Sequence, residues 1–445
     1  MNNDEGGVDV IISEFTGIDY GPKELIRGYI LSFDQNGDTM TYNYSFSDTL
    51  FNFGNIIQIY DGYLLTGASK FPDSLFYNLF ICKLNANKEI IWTKHYSRPE
   101  FERPQIRDIF FINDEFYLCG SVTIDDPTSE YPYFLKISAN GAILDEMLLP
   151  DYGQGQYRYL LSQDSSQIWL FTKCCLEPFN MASILKFNLD LNYLESESIY
   201  NDYLERLFPK WLSTNTFLIS SIQNRPGASY QDDDFFIHKF DTSFNILQWN
   251  NYGSQDTSEV PGMFSAIDFK NPDSIFIAGD KNHHFGLPSS SRPTWIIAGQ
   301  VDSLLQPRYI NYIGGDAYYE TNHMIATNDG GFFIAAAKFN FETQLYNQYF
   351  LKLNSEGILV NNKNDDLKII QSNVWPNPVS DYLNIECYKE NSRYEIYNLL
   401  GCKLAEGKLQ KGKTTINASS FHSGTFILRL IIKDKVIENH KIIKL

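Results

Sequence analysis

Hydrophobic positions in the first 370 residues fall in short runs, separated by turn-forming residues, and show no sustained helical period. One run covers 62–67, and the next ends at Lys83-Leu84, just before the turn-like segment 85–88. Short runs rich in Phe, Tyr and Ile, bounded by Asn, Asp, Ser and Gly, are typical of β-strands joined by tight turns. The pattern therefore predicts an all-β chain.

The turn-like segment recurs seven times. Each copy has a basic or polar residue, an apolar residue, and then Asp, Asn or Ser, whose side chain can bond to the backbone two residues on. The spacings between these turn-opening residues are 51, 53, 50, 53, 61 and 52 positions. About 23 residues before each turn lies an apolar run, and a shorter strand precedes most of these runs. The seven turn-opening residues are Asp34, Asn85, Ser138, Asn188, Asp241, Asp302 and Asn354.

A period of this length with four strands in each unit predicts a seven-bladed β-propeller over residues 9–370. An array of β-sandwiches would need linkers of different composition, and the sequence has none before residue 360. Too little chain precedes the first unit for its innermost strand. We therefore expect a strand near 366–370 to pair with the first blade and close the ring. The stretch 34–38 resembles the start of a calcium loop, but its sister copies favour a structural turn.

Composition excludes several classes of protein. The net charge is −18, and residues 370–445 hold 11 basic and 7 acidic side chains, which leaves 25 basic and 47 acidic side chains before them. A body with a net charge of −22 repels phosphate backbones, so a nucleic-acid partner is not expected. The sequence has no run of about 20 apolar residues that could cross a membrane. The six cysteines lack metal-ligand spacing; they are expected to be free thiols, with Cys387–Cys402 as an alternative disulfide.

The tail carries a specific set of motifs. Its sequence opens with Val374-Trp375-Pro376-Asn377-Pro378, continues with strands and Gly-containing turns, and ends with Lys441-Ile442-Ile443-Lys444-Leu445. In this order the motifs resemble the type A sorting domain of the type IX secretion system of Bacteroidetes. The positions that match its motifs are Pro376, Asn377, Pro378, Gly401, Gly424, Lys441 and Lys444. The unit ending at 357 likewise resembles the repeats of secreted bacterial propellers.

The resemblance implies a small β-sandwich, Ig-like domain over residues 374–445, recognised by the secretion translocon and its sortase. It also implies a secreted protein or one attached to the cell surface at the outer membrane. An accessory Ig-like binding module is the alternative. The first seven residues have neither the basic patch nor the apolar core of a signal peptide, so we expect the leader to be absent from this sequence.

No catalytic signature is present: the sequence lacks HExxH, GxSxG, a P-loop and a GxGxxG that opens a helix. We expect no cofactor and no metal, although Asp232–Asp234 could hold a cation. The longest loops should gather on the propeller face opposite the tight turns, where binding residues usually lie. The candidate ligand-binding residues on that long-loop face are Tyr131, Tyr133, Tyr230, Asp232, Asp233, Asp234, His283, His284, Arg292 and Trp295.

Aromatic rings beside carboxylates and amides suit a glycan, and the same mixture suits a protein partner. The sequence therefore predicts an exported, non-enzymatic binding protein that engages glycan or protein. Two alternatives remain: a propeller-type glycan hydrolase or lyase, and a structural surface or matrix protein. Paired carboxylates in a deep pocket on the axis would favour the enzyme. An axis filled by small apolar residues would favour binding in a shallow groove.

Overall fold

The computed structural model describes the whole chain except residues 4–5, 17–23, 35–38, 45–49, 72–76, 99–100, 102–103, 125–129, 153–156, 175–180, 200–204, 225–232, 255–256, 285–287, 291, 343, 361–368, 371, 388–391, 399–401, 411 and 433–434. The described residues are almost entirely β-strand, with a single 3₁₀ turn at Pro150–Tyr152. The all-β class predicted from the sequence is confirmed.

The strands fall into nine antiparallel sheets, seven of them in the body. Sheets 1 to 3 contain β1 Val8–Thr16, β2 Glu24–Phe33 and β3 Thr39–Tyr44; β4 Leu50–Ile59, β5 Gly62–Lys70, β6 Asn78–Asn85 and β7 Ile90–Tyr96; and β8 Gln105–Ile112, β9 Glu115–Thr123, β10 Glu130–Ser138 and β11 Ile143–Leu148. Sheets 4 and 5 contain β12 Tyr157–Leu161, β13 Gln167–Cys174, β14 Met181–Asn188 and β15 Tyr193–Ile199; and β16 Glu205–Trp211, β17 Thr216–Asn224, β18 Asp233–Asp241 and β19 Ile246–Asn251.

The sixth and seventh sheets complete the body, and two more form the tail. Sheet 6 contains β20 Glu259–Pro261, β21 Ile267–Asn271, β22 Ser274–Lys281, β23 Trp295–Val301, β24 Pro307–Gly314 and β28 Ile369–Ile370, and sheet 7 contains β25 Tyr318–Ala326, β26 Phe332–Asn340 and β27 Leu345–Leu353. The tail sheets contain β29 Ser372–Trp375, β30 Tyr382–Cys387 and β33 Gly412–Asn417; and β31 Ser392–Asn398, β32 Lys403–Lys408, β34 Gly424–Ile432 and β35 Lys435–Lys444.

The recurrent turn is a hairpin with a bulge. In the six described copies, the N–H of the fourth residue donates to the carbonyl of the turn-opening residue, and the fourth residue has positive φ. Five of these hairpins also show a register shift just before the turn, as expected for a type I turn with a bulge. The first copy, after Asp34, lies outside the described residues. The fourth residues are Lys88, Gly141, Leu191, Phe244, Leu305 and Gly357.

Seven buried clusters hold the sheets together, one at each junction between neighbouring sheets. The cluster between sheets 2 and 3, for example, joins Leu64 and Ile81 to Phe116 and Leu135. Equivalent clusters join sheets 1 and 2, 3 and 4, 4 and 5, 5 and 6, and 6 and 7. A smaller cluster, with Val8 against Phe333 and Ala335, joins sheet 1 to sheet 7. The seven sheets thus pack in cyclic order, as propeller blades do.

A repeated hydrogen bond adds to this packing near the tight turns. A polar group on the outer strand of one sheet donates to the carbonyl of the positive-φ residue of the next sheet. The five described bonds are Tyr44 Oη to Lys88 O at 2.8 Å, Tyr96 Oη to Gly141 O at 2.6 Å, Asn250 Nδ2 to Leu305 O at 2.7 Å, Tyr252 Oη, just after its strand, to Leu305 O at 2.9 Å, and Asn311 Nδ2 to Gly357 O at 2.8 Å. The bulged turn therefore both reverses the chain and presents an acceptor to its neighbour.

The ring closes differently from our expectation. We expected residues 366–370 to pair with sheet 1, but Ile369 and Ile370 pair with Ile313 and Tyr312 of β24 in sheet 6. Residues 366–368 lie outside the described residues. Sheets 1 and 7 instead meet through side chains, with the Phe33 ring 4.9 Å from Phe333. Apolar packing therefore joins sheets 1 and 7 without a shared strand among the described residues.

The two tail sheets pack face to face around one core, which makes the tail a small β-sandwich. Leu383 and Ile385 from one sheet contact Leu428 and Leu430 from the other.

Cys402 is an exposed free thiol. The alternative disulfide between Cys387 and Cys402 is therefore wrong.

Candidate functional site

A cavity of about 1010 Å³ lies on the axis of the ring. The innermost strand of every sheet contributes to its wall, namely β1, β4, β8, β12, β16, β21 and β25. The axis is therefore open and is not filled by small apolar side chains. Amide side chains contribute much of its polar lining, among them Asn52, Asn55, Gln105, Asn322 and Gln348.

Charged side chains enter this axial cavity from separate sheets. Arg107 and Asp108 lie on β8, Arg158 lies on β12, Lys210 on β16 and Asp268 on β21. Three of these groups are cationic, in a body whose overall charge is strongly negative. The cavity lining thus differs in charge from the rest of the body.

Asp108 connects two sheets from inside the cavity wall. Its Oδ2 accepts a hydrogen bond from the backbone N–H of Tyr159 at 3.1 Å. Burial raises the pKa of Asp108 to about 6, although the charges of Arg158 and Arg107 and the bond from Tyr159 lower it. The carboxyl group can therefore change its protonation state in mildly acidic solution.

Asp268 is held more tightly. Its Oδ1 accepts from its neighbour Phe269 N at 2.9 Å, and its Oδ2 accepts from Ala326 N of sheet 7 at 2.8 Å. It also forms an ion pair with Lys210 of sheet 5. This carboxylate therefore joins three sheets and is largely satisfied.

An aromatic pair forms another part of the wall. The rings of Phe264 and His323 stack with centroids 5.1 Å apart. His323 is open to the cavity but lies deep within the protein. Burial, together with the positive charges of the chain's amino group and Arg158, lowers its pKa to about 3. The imidazole is therefore neutral at physiological pH, and the pair offers a flat ring surface to a ligand.

The segment that carries Phe264 is fixed by backbone bonds to β25. Met263 N donates to Thr321 O at 2.8 Å, and Phe264 N donates to Asn322 O at 2.8 Å. Arg158 reaches this segment from sheet 4 and donates from Nη2 to Met263 O at 3.0 Å. One sector of the cavity mouth is thus bridged between sheets 4 and 6.

The sequence-predicted candidates do not form one surface. Tyr133 is a core residue whose hydroxyl donates to Glu146 Oε2 at 2.9 Å, and Tyr131 is half-buried in the same cluster. Asp233 lies on β18, and Asp234 is fully buried and accepts from Asn251 Nδ2 at 2.6 Å. Tyr230 and Asp232 lie outside the described residues.

Four of the candidates lie between the end of β22 and the start of β23, and two of them, His284 and Arg292, are in contact. The His284 ring lies 5.0 Å from Tyr318, and its Nε2 lies 3.4 Å from Arg292 O. Trp295 begins β23 and is half-buried against the core of sheets 5 and 6. His283 is buried, and burial together with the charge of Arg206 lowers its pKa to about 3. Tyr133, Asp234 and His283 therefore lie in the interior and do not form a ligand surface.

Sequence reasoning missed the axial residues, although the sequence carries a signal for them. Asp108, Arg158, Lys210, Asp268 and His323 recur at spacings of 50, 52, 58 and 55 positions. This is the blade period, and each residue falls in an inner strand that is otherwise mostly apolar. A polar residue repeated at the blade period in the innermost strand therefore indicates the axis.

The described residues hold no group of three His, Cys, Asp or Glu side chains that could bind a metal ion. They also include no helical segment with the length and hydropathy of a membrane span. What the axial cavity offers is hydrogen-bond donors, a few acceptors and a ring surface. Such a lining can bind a polar ligand with both hydroxyl groups and flat apolar faces.

The sorting motifs of the tail are brought together by one asparagine. Asn377 Nδ2 donates to Lys441 O at 2.7 Å, and its Oδ1 accepts from Ile443 N at 2.8 Å. Gly424, at positive φ, pairs with Lys444. The segment with Pro376 and Pro378 thus lies against the terminal strand β35. Gly401 lies outside the described residues.

Similar solved structures are prolyl peptidases and isolated propellers. The β-propeller domain of the Trilobed protease from Pyrococcus furiosus is 9% identical with a TM-score of 0.43, covering 80% of this chain and 94% of that one. Prolyl oligopeptidase B from Galerina marginata is 9% identical with a TM-score of 0.42, covering 86% and 56%. A prolyl endopeptidase is 8% identical with a TM-score of 0.41, covering 96% and 54%.

This chain spans about half the length of those two peptidases. At such identities and TM-scores, no activity is transferred to it. The search of curated proteins found no match. Residues 373–444 match the family model of the secretion system C-terminal sorting domain, and this tail indicates a secreted or surface protein.

Proposed function

We propose that this chain is an exported seven-bladed β-propeller, residues 9–370, that binds a glycan in its axial cavity and carries a sorting domain at residues 374–445. The observation that supports this most is the open cavity lined by the inner strands of all seven sheets. Tyr77, which directly precedes β6, reaches the same cavity. The side of the ring where β5 ends and β6 begins is therefore its entrance.

The shape of the site favours a glycan over a folded protein. A cavity of about 1010 Å³ is at the upper end of the range of small-ligand pockets, about 300–1,000 Å³. A stable protein interface needs about 800 Å² of surface on each partner, which a cavity of this size does not offer. The amides can bond to sugar hydroxyls, and the stacked rings of Phe264 and His323 can cover an apolar sugar face.

The state of the carboxylates favours binding over hydrolysis. A glycosidase needs two carboxyl groups about 5–9 Å apart that are free to act on the glycosidic bond. Asp268 accepts two backbone N–H groups and an ion pair, and Asp108 accepts the N–H of Tyr159. Both groups therefore hold the ring together.

A cavity-filling substitution tests the site. Gly54 lines the cavity, and an added Cβ there would have no heavy atom closer than 3.7 Å. Gly54→Trp should therefore fill the cavity without disturbing the core. We expect glycan-array hits of the full chain, confirmed by calorimetry, to lose at least about tenfold in affinity, or about 1.4 kcal/mol.

Tyr60→Trp is the matched control, since Tyr60 is 74% exposed just after the far end of β4. It should leave glycan affinity unchanged. Equal binding by both variants would place the ligand outside the axial cavity and refute the proposal. Capture of proteins but of no glycan would favour a protein partner, and binding of neither would favour a structural role.

A glycan hydrolase or lyase is the second candidate. Asp108 supports it, because it lines the cavity and its pKa is raised to about 6, as in a general acid. Glycans that bind should then be shortened on incubation, and Asp108→Asn should stop this without abolishing binding. Intact glycans after prolonged incubation would eliminate the second candidate.

For the tail, we propose recognition by the type IX translocon and removal by its sortase, with the body released or attached to the cell surface. Asn377→Ala should remove both bonds to β35 and lower the free energy of unfolding of this domain by about 1 kcal/mol. The amount of exported protein in the medium and on the cells should fall, as measured by immunoblotting.

Asn384→Ala provides the comparison. Asn384 lies in the same domain and accepts one bond from the Thr415 hydroxyl. Its removal should leave export close to that of the unmodified chain. If both variants are exported equally, the contact between Asn377 and the terminal strand has no part in sorting.

A further inference from the structure

Two of the three acidic groups that line the axial cavity, Asp9 and Asp268, are committed to the protein itself. Asp9 accepts from Asn3 Nδ2 at 3.1 Å and Ser32 Oγ at 2.6 Å, and lies 3.2 Å from Lys88 Nζ. Asp268 accepts two backbone N–H groups, as described above. An incoming ligand therefore meets few free carboxylates in the cavity wall.

Two guanidinium groups lie on neighbouring inner strands of this cavity. Arg107 on β8 has only a long contact of 3.4 Å to Glu130 Oε2, and its Nε is buried without a hydrogen-bond partner among the described residues. Arg158 on β12 donates to two carbonyls, Tyr157 O at 2.9 Å and Met263 O at 3.0 Å. Both bonds use neutral acceptors, so neither offsets its charge.

The two groups also repel each other. Burial, together with the nearby charge of Arg107, lowers the pKa of Arg158 to about 10. Two carboxylates act on both groups: Asp108, whose own pKa is raised by burial, and Glu130, which forms a long ion pair with Arg107. An anion between two partly desolvated guanidinium groups would therefore relieve repulsion and supply the missing acceptor.

We propose that the axial cavity selects an acidic glycan, with an oxyanion of one sugar bound between Arg107 and Arg158. This inference rests on the proposed glycan-binding function and specifies its ligand. The oxyanion is a uronic acid carboxylate or a sulfate ester. The first is planar and the second tetrahedral, and both present oxygen acceptors to guanidinium N–H groups. The hydroxyl groups of the remaining sugars contact the amides of the wall.

The test compares three trisaccharides of equal length with the full chain by calorimetry: oligogalacturonate, a sulfated galactose trimer and a neutral galactose trimer. At least one acidic trimer should bind about tenfold or more tightly than the neutral one, and its affinity should fall with added salt. The better acidic trimer identifies the oxyanion. Equal affinity for the neutral trimer would overturn the inference and leave the proposed function standing. Loss of binding to every glycan would overturn both.

Variants assign the charge to these residues. Arg107→Gln should lower affinity for the acidic trimer about tenfold and change the neutral trimer less than about twofold. Arg158→Gln should have the same effect on the two affinities. Because this variant also loses the bond to Met263, circular dichroism and the melting temperature check that it remains folded. Lys83→Gln is the matched control, since it removes one positive charge that is paired with Asp61 at 2.7 Å, outside the cavity. An equal loss in the control would mean that only net charge matters.

A pH series provides an independent readout. Arg107 on the same strand and Arg158 and Tyr159 on β12 face Asp108, together with Cys119 on β9. Burial holds the pKa of both Tyr159 and Cys119 well above the usual range, so neither titrates between pH 5 and 7.5. Asp108 becomes protonated as the pH falls through this interval, so the affinity for the acidic trimer should rise as the pH falls. Asp108→Asn should remove this rise. A pH-independent affinity in the unmodified chain would count against the site.

Discussion

Gly357→Ala should destabilise the body by about 3 kcal/mol, the largest effect of any single methyl group considered for this chain. Gly357 is the positive-φ residue of the seventh turn, with φ of 74°. A Cβ there would lie 2.4 Å from Tyr309 Cε2 and 2.6 Å from Asn311 Nδ2. The variant should therefore lose both backbone freedom and the Asn311 bond that ties sheet 6 to sheet 7. Urea denaturation followed by tryptophan fluorescence measures the change.

Gly330→Ala separates the two causes. Gly330 has φ of 82°, but a Cβ there would meet no heavy atom within 4 Å. Gly330→Ala should lower the free energy of unfolding by about 1 kcal/mol, which is the cost of placing a residue other than glycine at positive φ. Equal destabilisation by the two variants would mean that the neighbouring sheet moves aside at Gly357. In that case the packing of sheet 6 against the seventh turn would contribute little.

Asp280→Asn should stabilise the protein at pH 8 by about 2–4 kcal/mol and have little effect near pH 4. Asp280 is fully buried and accepts from Thr321 N at 2.8 Å and Thr321 Oγ at 2.7 Å. Burial raises its pKa to about 7, against bonds from Thr321 and the charge of Arg206, which lower it. Because the folded pKa exceeds the unfolded value, the aspartate costs stability increasingly as the pH rises from about 4 to about 7.

The comparison with the unmodified chain at each pH isolates this group. His283, whose pKa is lowered to about 3, makes folding less favourable below pH 6.5 in both proteins and largely cancels in the difference. The difference in free energy of unfolding should grow between pH 4 and pH 7 and then level off. A difference that does not change with pH would show that the pKa of Asp280 is the same in the folded and the unfolded protein.

The repeat was predictable because its signal is local. Each turn-opening Asp, Asn or Ser accepts bonds from its own turn, as Asn85 Oδ1 does from Asn87 N at 2.9 Å. Glycine takes the positive-φ position at Gly141 and Gly357, yet Lys88, Leu191, Phe244 and Leu305 take it in the other described copies. Leu305 is fully buried against the cluster between sheets 5 and 6. Packing with the neighbouring sheet compensates for the backbone cost, and a single hairpin does not show this in its sequence.

The axial site was not predicted because its parts lie one blade apart in the chain. Arg107 and Arg158 become neighbours only when sheets 3 and 4 pack side by side. The composition of the long loops predicted a ligand-binding face there, but Tyr133 and Asp234 lie in the interior. The strand pairing of Ile369 and Ile370 also depends on which sheet edge is within reach, and residue patterns do not encode this.

The junction between the first and seventh sheets has a mechanical consequence. Its cluster has three buried residues in the described part of the chain, whereas the cluster between sheets 5 and 6 has fifteen. No described strand crosses this boundary, so separating the two sheets breaks few backbone pairs. When the molecule is pulled or partly denatured, we expect the interface between sheets 1 and 7 to separate first. Phe33 and Phe333 would then be exposed to proteases while the other six interfaces between sheets remain intact.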